Sequence, residues 1–291
     1  MTLTSHIQCE EGAVLAVRVR GEKTAYNLLE DPHGRMSTLH DGDIVVGALG
    51  HRNALHGYEG IMPTDVKVGD TLHMLNMGGV MGLCVSHNPD VGAPFELEVL
   101  GHVQVFPEFG SRVGQPAHVR LGALRGAAVK VRVPVVFVAG TCMNAGKTAA
   151  ACAIVRRLSQ AGLKVGGCKL TGISLQRDIL AMHDYGADLV LDFTDAGIVC
   201  SGPDTAAATA KVIFSELAAG GVDVIVAETG DGILGEYGVQ AILADPELAG
   251  LASAFVLCAN DPVGVAGGVQ KLKEGYGIAV DLIAGPATDN R

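Results

Sequence analysis

The sequence predicts an α/β protein: a parallel-sheet domain in the C-terminal half, preceded by a separate, smaller β-rich domain. Three observations predict it. A continuous apolar run at 131–139 reads as a strand buried on both faces. Beyond it, apolar strands alternate with helical stretches. Before about residue 125, short apolar runs are separated by Gly, Asp, Pro and Asn, with no long amphipathic helix.

The β-rich domain is placed at 1–128. Its strands are expected at 13–20, 43–49, 71–75, 95–106 and 117–121, a spacing that suits a small barrel or sandwich. The segments Asp41-Gly42-Asp43 and Val68-Gly69-Asp70 are turns that open strands. The second domain is placed at 129–291. Its first strand, 131–139, is followed by a helix at 149–161, with Ala150, Ile154 and Leu158 on one stripe and Gly162 ending it. Further strands are expected at 164–169, 222–227, 252–258 and 279–284, with helices at 174–185, 205–219 and 265–274. A sheet of this kind usually continues into a covering helix. The domain is therefore expected to be cut short at its C-terminus, or its last strand to be covered by the first domain or a second subunit.

Composition narrows the function classes. With 291 residues, 48% hydrophobic and 18% charged, the chain can bury two cores. Its net charge of −10 argues against a nucleic-acid partner, since binding a phosphate backbone needs a basic surface. Seven cysteines without a Cys-x-x-Cys pair argue against a disulfide framework or structural zinc. They fit a reducing, cytoplasmic setting. No signal peptide or membrane span is read from the sequence.

The chemistry concentrates where the first buried strand meets its helix. The segment Gly140-Thr141-Cys142-Met143-Asn144-Ala145-Gly146-Lys147-Thr148 is a phosphate-binding loop in the right context. Gly140 and Gly146 permit the tight turn. Amides from Thr141, Asn144 and Ala145 onward, with the helix N-terminus, supply a positive field for phosphates. Lys147 should reach the β and γ phosphates, and the Thr148 hydroxyl should ligate Mg²⁺. Five residues, not four, separate Gly140 from Gly146, and Thr141 stands where a Gly is usual.

That variant loop resembles dethiobiotin synthetase and its relatives, in the branch of P-loop NTPases that also holds partition ATPases and metal-insertion GTPases. Gly140, Thr141, Gly146, Lys147 and Thr148 match the family loop, while Cys142 replaces its Asp. The family's Lys at the end of the second strand corresponds to Lys169, without the following Pro. Its Glu before a Gly-rich loop corresponds to Glu228. The likeness covers about 129–285. It implies MgATP as cofactor, a catalytic role for Lys147, Lys169 and Glu228, and a small-molecule substrate. Relatives with crevice sites often pair subunits, which makes a homodimer one assembly to expect.

Strand ends face the ligand crevice in parallel sheets, which gathers further candidates. Thr171 follows Lys169 and joins the nucleotide contacts. Glu228 resembles the acid that holds Mg²⁺, and Asp231 is a second acid in its loop. Asp178, at a helix start, is read as a further Mg²⁺ carboxylate or as a helix N-terminal charge; Asp184 is a weaker candidate. Asn260, before Asp261 and Pro262, can offer adenine both a donor and an acceptor, which favours ATP over GTP. His183 and Cys142 read as structural.

The first domain holds nine of the ten His. The segment 51–59, with His51, Arg52, His56 and Glu59, is read as a solvated loop or as one that closes on a substrate. The five-residue His spacing is poor for a metal. Met74, Met77 and Met81 read as core filling rather than a Cu(I) site. Two functions compete: an ATP-dependent ligase or phosphotransferase acting on a small carboxylate- or amine-bearing substrate, and a regulatory or maturation NTPase switch whose first domain binds a protein or metal cargo. The lack of an extra Lys at 141–145, and of a Cys-x-Cys or His-rich tract, favours the enzyme.

Overall fold

A computed structural model describes residues 1–54, 57–110, 112–127 and 130–289. Two compact units are present. The first contains Met1–Ala123 with Ile173–Leu175 and Gly197–Cys200; the second contains Leu124–Gly172, Gln176–Ala196 and Ser201–Arg291. The expected boundary at 128/129 lies outside the described residues.

The first unit is built from β1 (Thr2–Thr4), β2 (Val14–Arg20), β3 (Leu28–Glu30), β4 (Met36–Thr38), β5 (Ile44–Leu49), β6 (Arg52–Asn53), β7 (Tyr58–Ile61), β8 (Thr71–Met74), β9 (Val80–His87), β10 (Glu96–Val105) and β11 (Gln115–Pro116). β10 pairs with β2, β2 with β5, β5 with β9, β9 with β8, and β8 again with β10. The ring closes, so the unit is a five-stranded barrel with extra strands on its rim, and closure removes the open edge. Alternating residues of these strands fill it: Leu15, Val17 and Val19 from β2, Leu72 and Met74 from β8, Leu97 and Val99 from β10, with Met81. Two of the three methionines thus sit in the barrel core. The expected strand at 117–121 is instead a 3₁₀ turn, Val119–Gly122, opened by His118, whose Nδ1 accepts from Arg120 N at 3.1 Å. The sequence reading also passed over β7 and β9, whose Gly-punctuated residues hide the alternation.

The second unit alternates strand and helix: β12 (Val135–Gly140), α1 (Lys147–Gln160), β13 (Val165–Lys169), α2 (Arg177–Asp184), β14 (Leu189–Asp192), α3 (Ala206–Ala219), β15 (Val224–Gly232), α4 (Val239–Ala244), α5 (Pro246–Ala249), β16 (Ala252–Cys258), α6 (Pro262–Tyr276) and β17 (Leu282–Ala284). The sheet order is β14-β13-β15-β12-β16-β17, and every pairing is parallel. This is the fold of a P-loop NTPase. Six strands stand where five were expected, because β14 is only four residues long. Phe137, Cys168, Ala227 and Leu257 pack one face of the sheet, with α3 residues Ile213 and Phe214. Val138, Val226 and Val256 pack the other, with α1 residues Ala151 and Val155. Lys169 and Glu228 alternate with Cys168 and Ala227, so they emerge on the α1 face, the face that carries the phosphate loop.

Candidate functional site

The loop between β12 and α1 is shaped by its glycines. Gly146 caps α1 at φ 89°, a conformation open to Gly at little cost. A Cβ on Gly140 would lie 2.9 Å from Lys147 Cγ and Cδ, so this Gly lets the lysine fold across the loop. Asn144 holds φ 59°, one of two non-glycine positive φ values among the described residues. Thr141 N donates to Cys258 O at 2.9 Å, tying the loop to β16. Ala145 is fully buried beneath it.

Lys147 is 6% exposed, and its Nζ donates to Cys142 O at 2.8 Å. Burial pulls its pKa down, against the opposing fields of Glu228 and Asp231. Thr148 Oγ1 donates to Glu228 Oε1 at 3.0 Å. Glu228 is 2% exposed, and its Oε2 is buried with no hydrogen-bond partner. Burial raises its pKa, only partly offset by Lys169 and Lys147. A buried carboxylate oxygen with its lone pairs unengaged, beside a threonine hydroxyl at a helix start, fits a divalent cation. Among the described residues no group of three His, Cys, Asp or Glu side chains could hold a metal. A P-loop Mg²⁺ needs no such group, since it keeps waters and takes phosphate oxygens.

The sheet register sets a polar row across three strand ends. Lys169 stands opposite Glu228 on one side and Asp192 on the other. Asp178, from the first turn of α2, reaches Lys169 Nζ in direct contact. Burial alone would lower the Lys169 pKa, but Asp178 and Glu228 raise it above the ordinary lysine value, so the ammonium stays charged. In return Asp178 is held low: Lys169 outweighs the burial that would raise it. Asp178 is the counter-ion of Lys169, and its charge also acts on Glu228.

Asp192 was missed from sequence. It is fully buried, its Oδ1 accepts from Thr194 N at 2.8 Å, and its Oδ2 has no partner. Burial raises its pKa to about 6. The signal was an acid closing an apolar tetrapeptide, visible only once β14 is recognised as a strand.

Two further candidates make hydrogen bonds within the chain. Thr171 is fully buried, and its Oγ1 accepts from Gly230 N at 2.8 Å. Its hydroxyl pins the Gly-rich loop after Glu228. Asp261 caps α6, accepting from Gly264 N at 2.8 Å, with Pro262 at the first helical position. Asn260 is exposed, and its Nδ2 donates to Cys142 Sγ at 3.2 Å, which places its amide over the phosphate loop. Asp231 is buried near Lys147, whose charge it supports. In the first unit His51 pairs with Glu11 at 3.5 Å, while His56 lies outside the described residues. All seven cysteines are free. No helix among the described residues is long and apolar enough to cross a membrane.

No family model and no curated protein matches the chain. Solved structures do. The signal recognition particle receptor FtsY from Elizabethkingia anophelis has 14% identity and a TM-score of 0.38 over 57% of this chain and 53% of that one. The kinase domain of the Escherichia coli tyrosine kinase ETK has 15% identity and a TM-score of 0.37 over 56% and 72%. The signal recognition particle 54 kDa protein from Aeropyrum pernix K1, in complex with GDP, has 15% identity and a TM-score of 0.34 over 54% and 42%. The chain thus spans about half the length of the FtsY structure. None of the three is a dethiobiotin synthetase. Likeness at this level carries no functional weight, and the P-loop NTPase fold rests on the strand, loop, helix and sheet order described above.

Proposed function

We propose that the second unit binds a Mg²⁺–nucleoside triphosphate, ATP by preference, and transfers its terminal phosphoryl group to a small carboxylate-bearing substrate, as a ligase or phosphotransferase does. One observation carries the reading. Glu228 bonds Thr148 with one oxygen and leaves the other buried and unpartnered, beside the ammonium of Lys147. Such an arrangement is costly by itself and is relieved by a cation bridging to an anionic ligand.

Thr148 and Glu228 would hold the Mg²⁺, which would draw charge from the phosphate oxygens. The remaining steps belong to the chain. Lys147 exchanges the Cys142 carbonyl for phosphate oxygens. The loop amides and the α1 N-terminus fix the phosphate chain in line. A substrate oxygen donates its lone pair to the γ phosphorus as the β–γ bridging bond breaks, its electrons leaving on the nucleoside diphosphate. Lys169, kept charged by Asp178, offsets charge on the moving phosphoryl group or on the substrate carboxylate. Asn260 lies over the loop, and its amide would read adenine on exchanging the Cys142 thiol for the base.

The test is turnover of ATP and GTP by the full chain, with and without a panel of small carboxylic and amino acids. Carboxylate-stimulated ADP release that disappears in Lys147→Ala supports the proposal. Turnover indifferent to every small molecule, or nucleotide binding equal in parent and Lys147→Ala, overturns it.

A further inference from the structure

The barrel unit contains a second polar centre that the nucleotide chemistry does not use. Arg52, on β6, is 5% exposed. No carboxylate among the described residues forms an ion pair with it, whereas exposed Arg18 and Arg20 both reach Glu98. Its Nη1 donates to two neutral acceptors, Tyr26 Oη at 2.7 Å and Leu75 O. Its Nε is buried without a partner. The unengaged Nε side is the edge with which a guanidinium grips a carboxylate through two parallel bonds. A buried guanidinium with no anion is costly, so the site is short of a negative charge.

Its surroundings are arranged around that edge. Tyr26 and Tyr58 meet edge to face with centroids 5.2 Å apart, and Arg52 Cζ lies 5.4 and 5.9 Å from the two rings. The Tyr58 hydroxyl is also buried without a partner. Burial pushes this phenol up to about 12, so it stays a donor at neutral pH. A Cβ on Gly57 would lie 2.6 Å from Arg52 Nη2, so the absence of a side chain there lets the guanidinium lie against the backbone. Tyr26 is only partly buried and holds φ 53°. Among the described residues the other non-glycine positive φ is Asn144, in the phosphate loop.

We propose that Arg52, Tyr26 and Tyr58 form a binding site for the carboxylate of a small molecule, gripped by the free guanidinium edge and the Tyr58 hydroxyl. The inference rests on the barrel unit alone and stands or falls separately from the nucleotide reading.

The probe is acetate, with acetamide as its neutral match and inorganic phosphate as the competing anion. Thermal unfolding of the full chain is followed as each is raised at constant ionic strength. Acetate should raise the midpoint and acetamide should not. Tyr58→Phe removes a buried donor that has no partner, so the ligand-free protein should be as stable as the parent or more so. The same variant should weaken the acetate response about fivefold, the worth of one hydrogen bond. Arg52→Lys, which keeps the charge but loses the fork, should abolish it. Absence of an acetate effect on the parent, an unchanged response in Tyr58→Phe, or a response to phosphate alone overturns the proposal. If Arg52→Lys fails to fold, Tyr58→Phe decides.

Discussion

Asp178→Asn tests the charge held behind the phosphate loop. Lys169 is 7% exposed, and its ammonium contacts one carboxylate, that of Asp178. Breaking a buried pair by removing one partner typically costs about 3–5 kcal/mol, because the other charge is left uncompensated. Glu228 and Asp192 still flank Lys169 in the register, so the cost should fall at the low end, about 3 kcal/mol. Lys169→Met should cost less. It strands Asp178, which has Arg177 at 3.8 Å and a side chain 14% exposed to water. The double variant Lys169→Met/Asp178→Asn should be more stable than Asp178→Asn alone, since no lone charge remains. The chain has no Trp, so urea unfolding is followed by far-ultraviolet circular dichroism. Hydrogen exchange in peptides from β13 and α2 assigns the transition to the second unit, because two units need not melt together. A loss below about 1 kcal/mol in Asp178→Asn, or a double variant equal to the sum of the singles, would refute the reasoning.

Asp192→Asn should change the pH dependence of stability. A buried acid whose pKa rises from 3.8 to about 6 on folding leaves the fold unburdened below pH 4, weakens it as pH climbs from 4 to 6, and burdens it fully above. The shift corresponds to roughly 3 kcal/mol at neutral pH, and the urea midpoint of the variant should lose that slope; a parallel slope in both proteins would contradict it. Gly230→Ala should unfold the loop after Glu228, since its Cβ would lie 1.8 Å from Thr171 O; an unchanged melting midpoint would show that the backbone there is soft. Glu228→Gln should lose the Mg²⁺-dependent gain in nucleotide affinity. In EDTA it should bind nucleotide no more weakly than the parent, whose Glu228 burial pushes towards the neutral form; weaker binding in EDTA would place Glu228 elsewhere.

What was legible in the sequence had local causes. The phosphate loop is nine consecutive residues between a buried strand and a helix, so strand, glycines and Lys147 announce one another. Lys169 and Glu228 were legible because each closes an apolar run, and the end of a parallel strand has a known outlook. What was not legible needed partners distant in sequence. Asp178 looked like any acid in a first helical turn until α2 brought it onto Lys169. The bond from Gly230 N to the Thr171 hydroxyl joins positions 59 residues apart, which no local pattern shows. β14 was too short to show a period, and with it Asp192 was lost. Arg52 belonged to a segment rich in polar residues, which composition alone reads as solvated. Its burial depends on Tyr26 and Leu75, each more than twenty positions away.

The charges around the phosphate loop explain why a metal complex, and not a bare nucleotide, is the expected ligand. Lys147 and Lys169 face Asp178, Glu228 and Asp192, with Asp231 close to Lys147. Acids outnumber ammoniums in a region with little water, where repulsion is screened weakly. Folding relieves part of this by favouring the protonated forms of Glu228 and Asp192, as their raised pKa values record. Asp178 does the opposite and stays ionised, because its contact with Lys169 overcomes burial. A free triphosphate would add negative charge to a cluster already in excess. A divalent cation at the unpartnered oxygen of Glu228 reverses that balance and favours the ionised acid. Metal binding should therefore release a proton, which calorimetry in buffers of different ionisation enthalpy can count. Uptake of Mg²⁺ and nucleotide with no proton release at any pH at which the protein stays folded would mean that Glu228 is ionised beforehand, and the argument from its burial would fail.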